Sequence, residues 1–212
     1  MPQIQVDALS FSYPGKPPIL HDWSELFVGG EMVALTGPSG RGKSTLLYLL
    51  GLMATPTSGE VIADGRRTAR ESDRQRARMR AEHYGFVFQD AVLDQTRSVI
   101  DNVVETALYR SQSRREATYR ALELLERFDV RLRANHKPGE ISGGQAQRIA
   151  LCRGLLNSPR YVLADEPTGN LDQVSAQTVI AALKDHSRTG NVVIVATHDR
   201  DLIAASDRRI DL

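Results

Sequence analysis

At 212 residues, with 41% hydrophobic and 25% charged side chains, the chain has the make-up of a folded domain with a sizeable core, which excludes a disordered or fibrous protein. A net charge of +1 gives no broad basic field for nucleic acid, and the single cysteine, Cys152, excludes an internal disulfide framework and a cysteine metal cluster. The longest apolar stretch, TLLYLLGLMA at 45–54, falls short of the roughly 20 residues of a spanning helix, and the first ten residues lack the features of a signal peptide. The chain is therefore expected to stay in the cytosol, with any membrane role resting on a separate subunit.

Residues 3–36 read as three short strands, IQVDAL, SELFV and EMVALT, with Pro14, Gly15, Pro17, Pro18, Gly29 and Gly30 marking turns. EMVALT runs straight into GPSGRGKST at 37–45, and that loop into the apolar helix KSTLLYLLGL. GEVIADG at 59–65 is a further strand closing on an Asp-Gly turn. The arginine-dense stretch RRTARESDRQRARMR at 66–80 is interrupted by acids and carries no interleaved aromatics, so it reads as a solvated loop and helix face. YGFVFQD at 84–90 returns to strand, and residues 98–128 repeat apolar side chains at helical spacing. The loop RLRANHKPGE leads to ISGGQ and the helix QAQRIALCRGLL, on which Cys152 is expected to pack as a small apolar side chain. YVLAD, a helix from about 173 to 187, and NVVIVAT follow; both strands are nearly continuous apolar runs, as in a parallel sheet covered on both faces. The expectation is an α/β core from 1–88 and 157–212, with a helical subdomain at 89–156.

The chemistry concentrates at the ends of the apolar strands. GPSGRGKS fits the phosphate-loop pattern G-x-x-x-x-G-K-[ST] and stands between a strand and a helix, as such a loop must. Backbone N–H groups around Gly37, Ser39, Gly40, Arg41, Gly42 and Thr45 can turn inward on phosphate oxygens, helped by the positive end of the helix. Lys43 is expected to reach the β- and γ-phosphates, and Ser44 to ligate Mg²⁺. YVLADE puts Asp165 and Glu166 at an open strand end, where Asp165 suits the Mg²⁺ shell and Glu166 suits the attacking water. His198, ending the next strand, can bond a γ-phosphate or that water, and the Gln89 amide can contact Mg²⁺ or water.

Six motifs in this order resemble the nucleotide-binding subunit of an ABC transporter over nearly the whole chain. GPSGRGKST is similar to the Walker A loop and YVLADE to Walker B. ISGGQAQR resembles the family signature, with Ile141 where leucine is usual. Gln89 matches the Q-loop, GNLD at 169–172 the D-loop, and His198 the switch histidine. The resemblance implies an α/β P-loop NTPase with a RecA-like core, a small antiparallel β subdomain and a helical subdomain. It implies ATP and Mg²⁺, with Tyr13 stacking on adenine. It also implies a head-to-tail dimer, in which Ser142, Gly143, Gly144 and Gln145 serve the partner's nucleotide and Asp172 couples the two sites. An integral membrane permease is expected to dock near Gln89–Gln95, with Val92 and Leu93 as apolar contacts, holding the subunit on the cytoplasmic face of the membrane. DEPTGNLD most resembles the lipoprotein-release, macrolide-efflux, haem-efflux and cell-division group, although DAVLDQTRSVIDNV departs from that group's pattern. The chain stops at DRRIDL, so a final strand is expected to be missing or trimmed. Two other readings are weaker. An ABC ATPase of DNA repair or translation would carry a coiled-coil insertion or two cassettes, and a module without turnover would not need Glu166 and His198.

Overall fold

The computed structural model describes residues 1–110 and 112–212. The first half holds β1 (Gln3–Phe11), β2 (Leu20–Val28), β3 (Met32–Thr36), α1 (Lys43–Leu50), β4 (Ser58–Ala63), β5 (Arg66–Arg67), α2 (Asp73–His83) and β6 (Tyr84–Val87). Three helices follow, α3 (Val99–Leu108), α4 (Arg114–Arg127) and α5 (Gly143–Leu155). The chain then returns through β7 (Tyr161–Asp165), α6 (Gln173–Arg188), β8 (Val192–Ala196), α7 (Arg200–Ala205) and β9 (Arg208–Asp211).

Two sheets organise these elements. One is antiparallel, in the order β2-β1-β4-β5; the other runs β6-β7-β8-β3-β9, all its pairings parallel. Every residue of β3, β7 and β8 is buried, which explains why these strands are apolar without alternation. Alternation reappears in what each side chain touches. Val162 and Ala164 of β7 join the core beneath the helices with Phe128 and Ile149, whereas Tyr161 and Leu163 join the core shared with β1 and α1, beside Phe27 and Leu46.

One strand was not assigned from the sequence. RRID is a strand, pairing in parallel with β3 from Val33↔Arg208 to Thr36↔Asp211. It was hard to read because it is an edge strand whose side chains are mostly charged, with only Ile210 reaching the core. The short helix α7 was also unforeseen; Asp199 caps it through bonds from the Asp201 and Leu202 amides. The 66–80 stretch behaves as a solvated face, with α2 started by a Ser72–Gln75 capping box and ion pairs Arg66–Glu71 and Arg78–Glu82, each 2.6 Å. Cys152 is buried, and its thiol is pushed far above its usual range by that burial. No described helix is long and apolar enough to cross a membrane.

Helix α5 lies on β6 at glycine-to-glycine distance. A Cβ on Gly85 would sit 2.1 Å from the Gly154 carbonyl oxygen and 2.8 Å from Pro159 Cγ. We predict that Gly85→Ala costs about 1–3 kcal/mol in urea denaturation. Gly139→Ala, whose Cβ would meet nothing within 4 Å, should stay within about 0.5 kcal/mol of the parent.

Candidate active site

Strand β3 delivers the chain into the glycine loop, and α1 leaves it. Gly42 precedes α1 with φ 95°, and no side chain caps the helix. No side chain therefore takes up the first amides of this helix. A Cβ on Gly42 would lie 2.2 Å from Ile19 Cγ2, so glycine is required on steric as well as conformational grounds. Lys43 spans the loop, its Nζ donating to the carbonyls of Gly37 at 2.7 Å and Pro38 at 3.2 Å.

Asp165 ends β7 and is only 7% exposed. Burial holds its carboxyl above the usual carboxylate range, and the neighbouring Glu166 charge adds to this, while the Ser44 hydroxyl and Lys43 oppose it. Glu166 takes a left-handed backbone, φ 45°, secured by its amide donating to the Ala196 carbonyl at 2.9 Å. Its carboxylate lies 2.8 Å from His198 Nδ1 and accepts from Thr197 Oγ1 at 3.3 Å. Tyr13 stands edge-on to Phe11, ring centroids 5.0 Å apart, with its hydroxyl 3.3 Å from Thr45 Oγ1.

A cleft of about 440 Å³ gathers Tyr13, Ser39, Gly40, Gly42, Lys43, Ser44, Thr45, Gln89, Asp165, Glu166 and His198, together with Ile19. Gly37, Arg41, Ser142, Gly143, Gly144, Gln145 and Asp172 do not line it. Gly37 backs onto Leu212, whose carbonyl oxygen a Cβ there would meet at 2.5 Å. Arg41 is exposed. Ser142 opens α5, accepting from the Gln145 amide while the Gln145 side chain accepts from the Ser142 amide. Asp172 caps α6 through the Ser175 amide and hydroxyl, bonds that hold its carboxyl below the usual range.

Three residues were not anticipated. Thr197 holds Glu166, and Thr168 donates to Asp199 at 2.7 Å, tying the turn after Glu166 to the residue after His198. Their only sequence signal is an Asp following the histidine, as an N-cap would.

Beyond Gln89 the chain makes an unusual turn. Ala91 and Val92 are both left-handed, φ 58° and 46°, a conformation costing non-glycine residues about 1–3 kcal/mol each. Val92 is 58% exposed and helps to line a second, largely apolar groove of about 420 Å³, with Met53, Tyr84, Phe86, Phe88 and Tyr109. Leu93 does not line this groove. It is half-buried and packs on the core beneath the helices, with part of its surface still open to solvent.

Residues 20–169 match the model of the ABC transporter family. The chain belongs to that family. It is similar to the lipoprotein-releasing system ATP-binding protein LolD 1 of Rhodospirillum rubrum, at 45% identity over 184 residues, covering 86% of this chain and 81% of that protein. The LolD protein of Bordetella avium is 41% identical over 200 residues, covering 94% of this chain and 87% of that one. Among solved structures, the dimeric structure of a bacterial ABC transporter cassette superposes with a TM-score of 0.93 at 34% identity, over 99% of this chain and 94% of that one. A post-hydrolysis dimer of that cassette, bound to ADP and Pi, fits equally well. This ABC subunit is a transporter ATPase with the α/β fold of its family.

Asp165 gives a stability test of the cleft. Its pKa is raised on folding, so its contribution is fully present below the unfolded carboxyl pKa and is lost as pH rises through the folded value. In nucleotide-free protein, Asp165→Asn should therefore raise the melting temperature at neutral pH, with the gain vanishing in acid. A gain independent of pH would contradict the assignment.

Proposed function

We propose that this chain works as a head-to-tail pair, each ATP being gripped by the phosphate loop of one copy and by the Ser142–Gly144 helix start of the other. One observation carries this reading. The cleft gathers Lys43, Ser44, Gln89, Asp165, Glu166 and His198, yet the exposed glycine helix start lies outside its lining. A second copy can bring that start, with its helix dipole, onto the open side of the phosphates.

The roles we assign are those the family resemblance implies, and the cleft's geometry supports them. Tyr13 stacks on the adenine, and amides from Ser39 to Thr45 bind the phosphates. Lys43 exchanges its two loop carbonyls for β- and γ-phosphate oxygens. Ser44, Asp165 and Gln89 offer hard oxygen donors, and a nearly buried carboxylate beside a hydroxyl suits Mg²⁺, which takes few protein ligands and completes its shell with water and phosphate. Mg²⁺ bound there would neutralise charge on the phosphates. Glu166, held by His198 and Thr197, orients the attacking water and accepts its proton. Loss of the γ-phosphate then removes what both copies were gripping, and the pair opens. Asp172, at the start of α6, couples one cleft to the other.

The apolar groove beside Gln89–Gln95 supports docking of a cytoplasmic segment of an integral membrane permease, which would hold the subunit on the cytoplasmic face of the membrane. Given relatives named for lipoprotein release, we assign lipoproteins as the cargo class.

Glu166→Gln should bind ATP and accumulate as a dimer in size-exclusion chromatography while kcat falls about 100-fold; unchanged turnover would remove Glu166 from its role. Tyr109 is 69% exposed on the groove. Tyr109→Glu should abolish co-purification with the membrane protein that accompanies the parent chain from native membranes. Retained co-purification would move the docking surface elsewhere.

A further inference from the structure

Helix α5 holds the chain on both sides of Gln89. Upstream, the buried Gln147 side chain donates from Nε2 to the Phe88 carbonyl at 3.3 Å. Downstream, the Arg153 guanidinium donates to the Ala91 carbonyl at 2.7 Å and to the Val92 carbonyl at 2.6 Å. Those two carbonyls belong to the consecutive left-handed residues. An extended strand points successive carbonyls in opposite directions, whereas this turn presents both to one planar fork. Arg153 is mostly buried, and burial lowers its pKa. A buried guanidinium needs acceptors, and two of those it has are the carbonyls of this turn.

We propose that Arg153 is a positioning residue for ATP hydrolysis: by clamping the strained Ala91–Val92 turn, it keeps Gln89 in the nucleotide cleft. The inference rests on the reading of that cleft as the ATP site. The clamp has a geometric consequence. Arg153 and Val92 both line the apolar groove, Gln89 lines the cleft, and α5 begins with Ser142–Gly144. One helix thus joins the groove, the Gln89 loop and the surface facing a partner's nucleotide. A segment entering the groove meets the clamp directly, and a shift of α5 is transmitted to Gln89 through three hydrogen bonds.

Steady-state hydrolysis of MgATP by the full chain tests this, with binding of the fluorescent analogue mant-ATP measured alongside. Arg153→Gln should lower kcat about tenfold and leave KM and mant-ATP affinity within about twofold, because the phosphate loop is untouched. Arg153→Lys, whose ammonium lacks the planar fork, should fall between the two. Glycine adopts the left-handed turn without strain, so adding Ala91→Gly and Val92→Gly to Arg153→Gln should recover most of the lost kcat. An arginine whose loss acted only through general destabilisation would not be rescued by relieving the strain of this one turn. Parental kcat in Arg153→Gln overturns the proposal, as does a loss the glycines do not restore. Should Arg153→Gln fail to fold, full activity in Arg153→Lys would overturn it and a partial loss would support it. A parent chain that neither binds mant-ATP nor hydrolyses ATP would instead defeat the reading of the cleft.

Discussion

A helix that starts without a side-chain cap leaves backbone amides facing outward with no partner of their own. Helices α2, α3, α5, α6 and α7 each begin with a Ser or Asp side chain on those amides. Helix α1 begins with Gly42 and has none; α4 also starts without one, but outside the cleft. The rest of the architecture serves that exposed start. A fully buried strand aims the loop, glycines keep Cβ atoms out of the turn, and Lys43 braces it from within. Parallel strands on the same sheet bring Asp165, Glu166 and His198 to the same end, where an open α/β sheet receives its ligand.

Helix α5 differs from α1 in a way that suits a second role. It also begins with small residues, but Ser142 and Gln145 satisfy its first amides reciprocally. A start that is exposed yet capped is stable alone and can still give up its cap to a phosphate. Beside it, Gly144 lies against the turn after Glu166, where a Cβ would come 2.9 Å from the Asn170 carbonyl oxygen. In the proposed pair, the face offered to a partner would therefore be continuous with the chain that carries Glu166.

The readable parts of the sequence were those in which one residue type answers one physical demand. Buried parallel strands must be apolar throughout, so β3, β7 and β8 could be read directly, and a glycine loop between strand and helix could be placed without coordinates. β9 was not readable, because Arg208, Arg209 and Asp211 leave Ile210 as its one apolar residue, and the strand meets β3 on one edge and solvent on the other. Apolarity alone did not show that Leu93 also packs on the core beneath the helices. Two consecutive left-handed residues left no trace either, since Ala91 and Val92 are not residues that favour that conformation. Local amide bonds from Ala91 to Phe88 and from Val92 to Asp90 close the turn, and Arg153, 62 and 61 residues away, grips its carbonyls, a contact that only tertiary structure reveals.

The left-handed backbone at Glu166 explains how two adjacent carboxylates can share one cleft. In a continuing strand, Asp165 and Glu166 would point to opposite faces of the sheet. The turn at Glu166, fixed by its amide on the Ala196 carbonyl, breaks that alternation and brings both side chains to the cleft. The two then see different surroundings. Asp165 is almost buried beside the Ser44 hydroxyl, and its neighbour's charge and its own burial both disfavour ionisation. Glu166 is held by a histidine and a threonine. A cation bound between Ser44 and Asp165 would relieve the repulsion between the carboxylates, leaving Glu166 free to serve as a base. Under the proposed roles, the backbone strain at Glu166 would be what lets neighbouring acids take separate tasks, one toward a metal and one toward water.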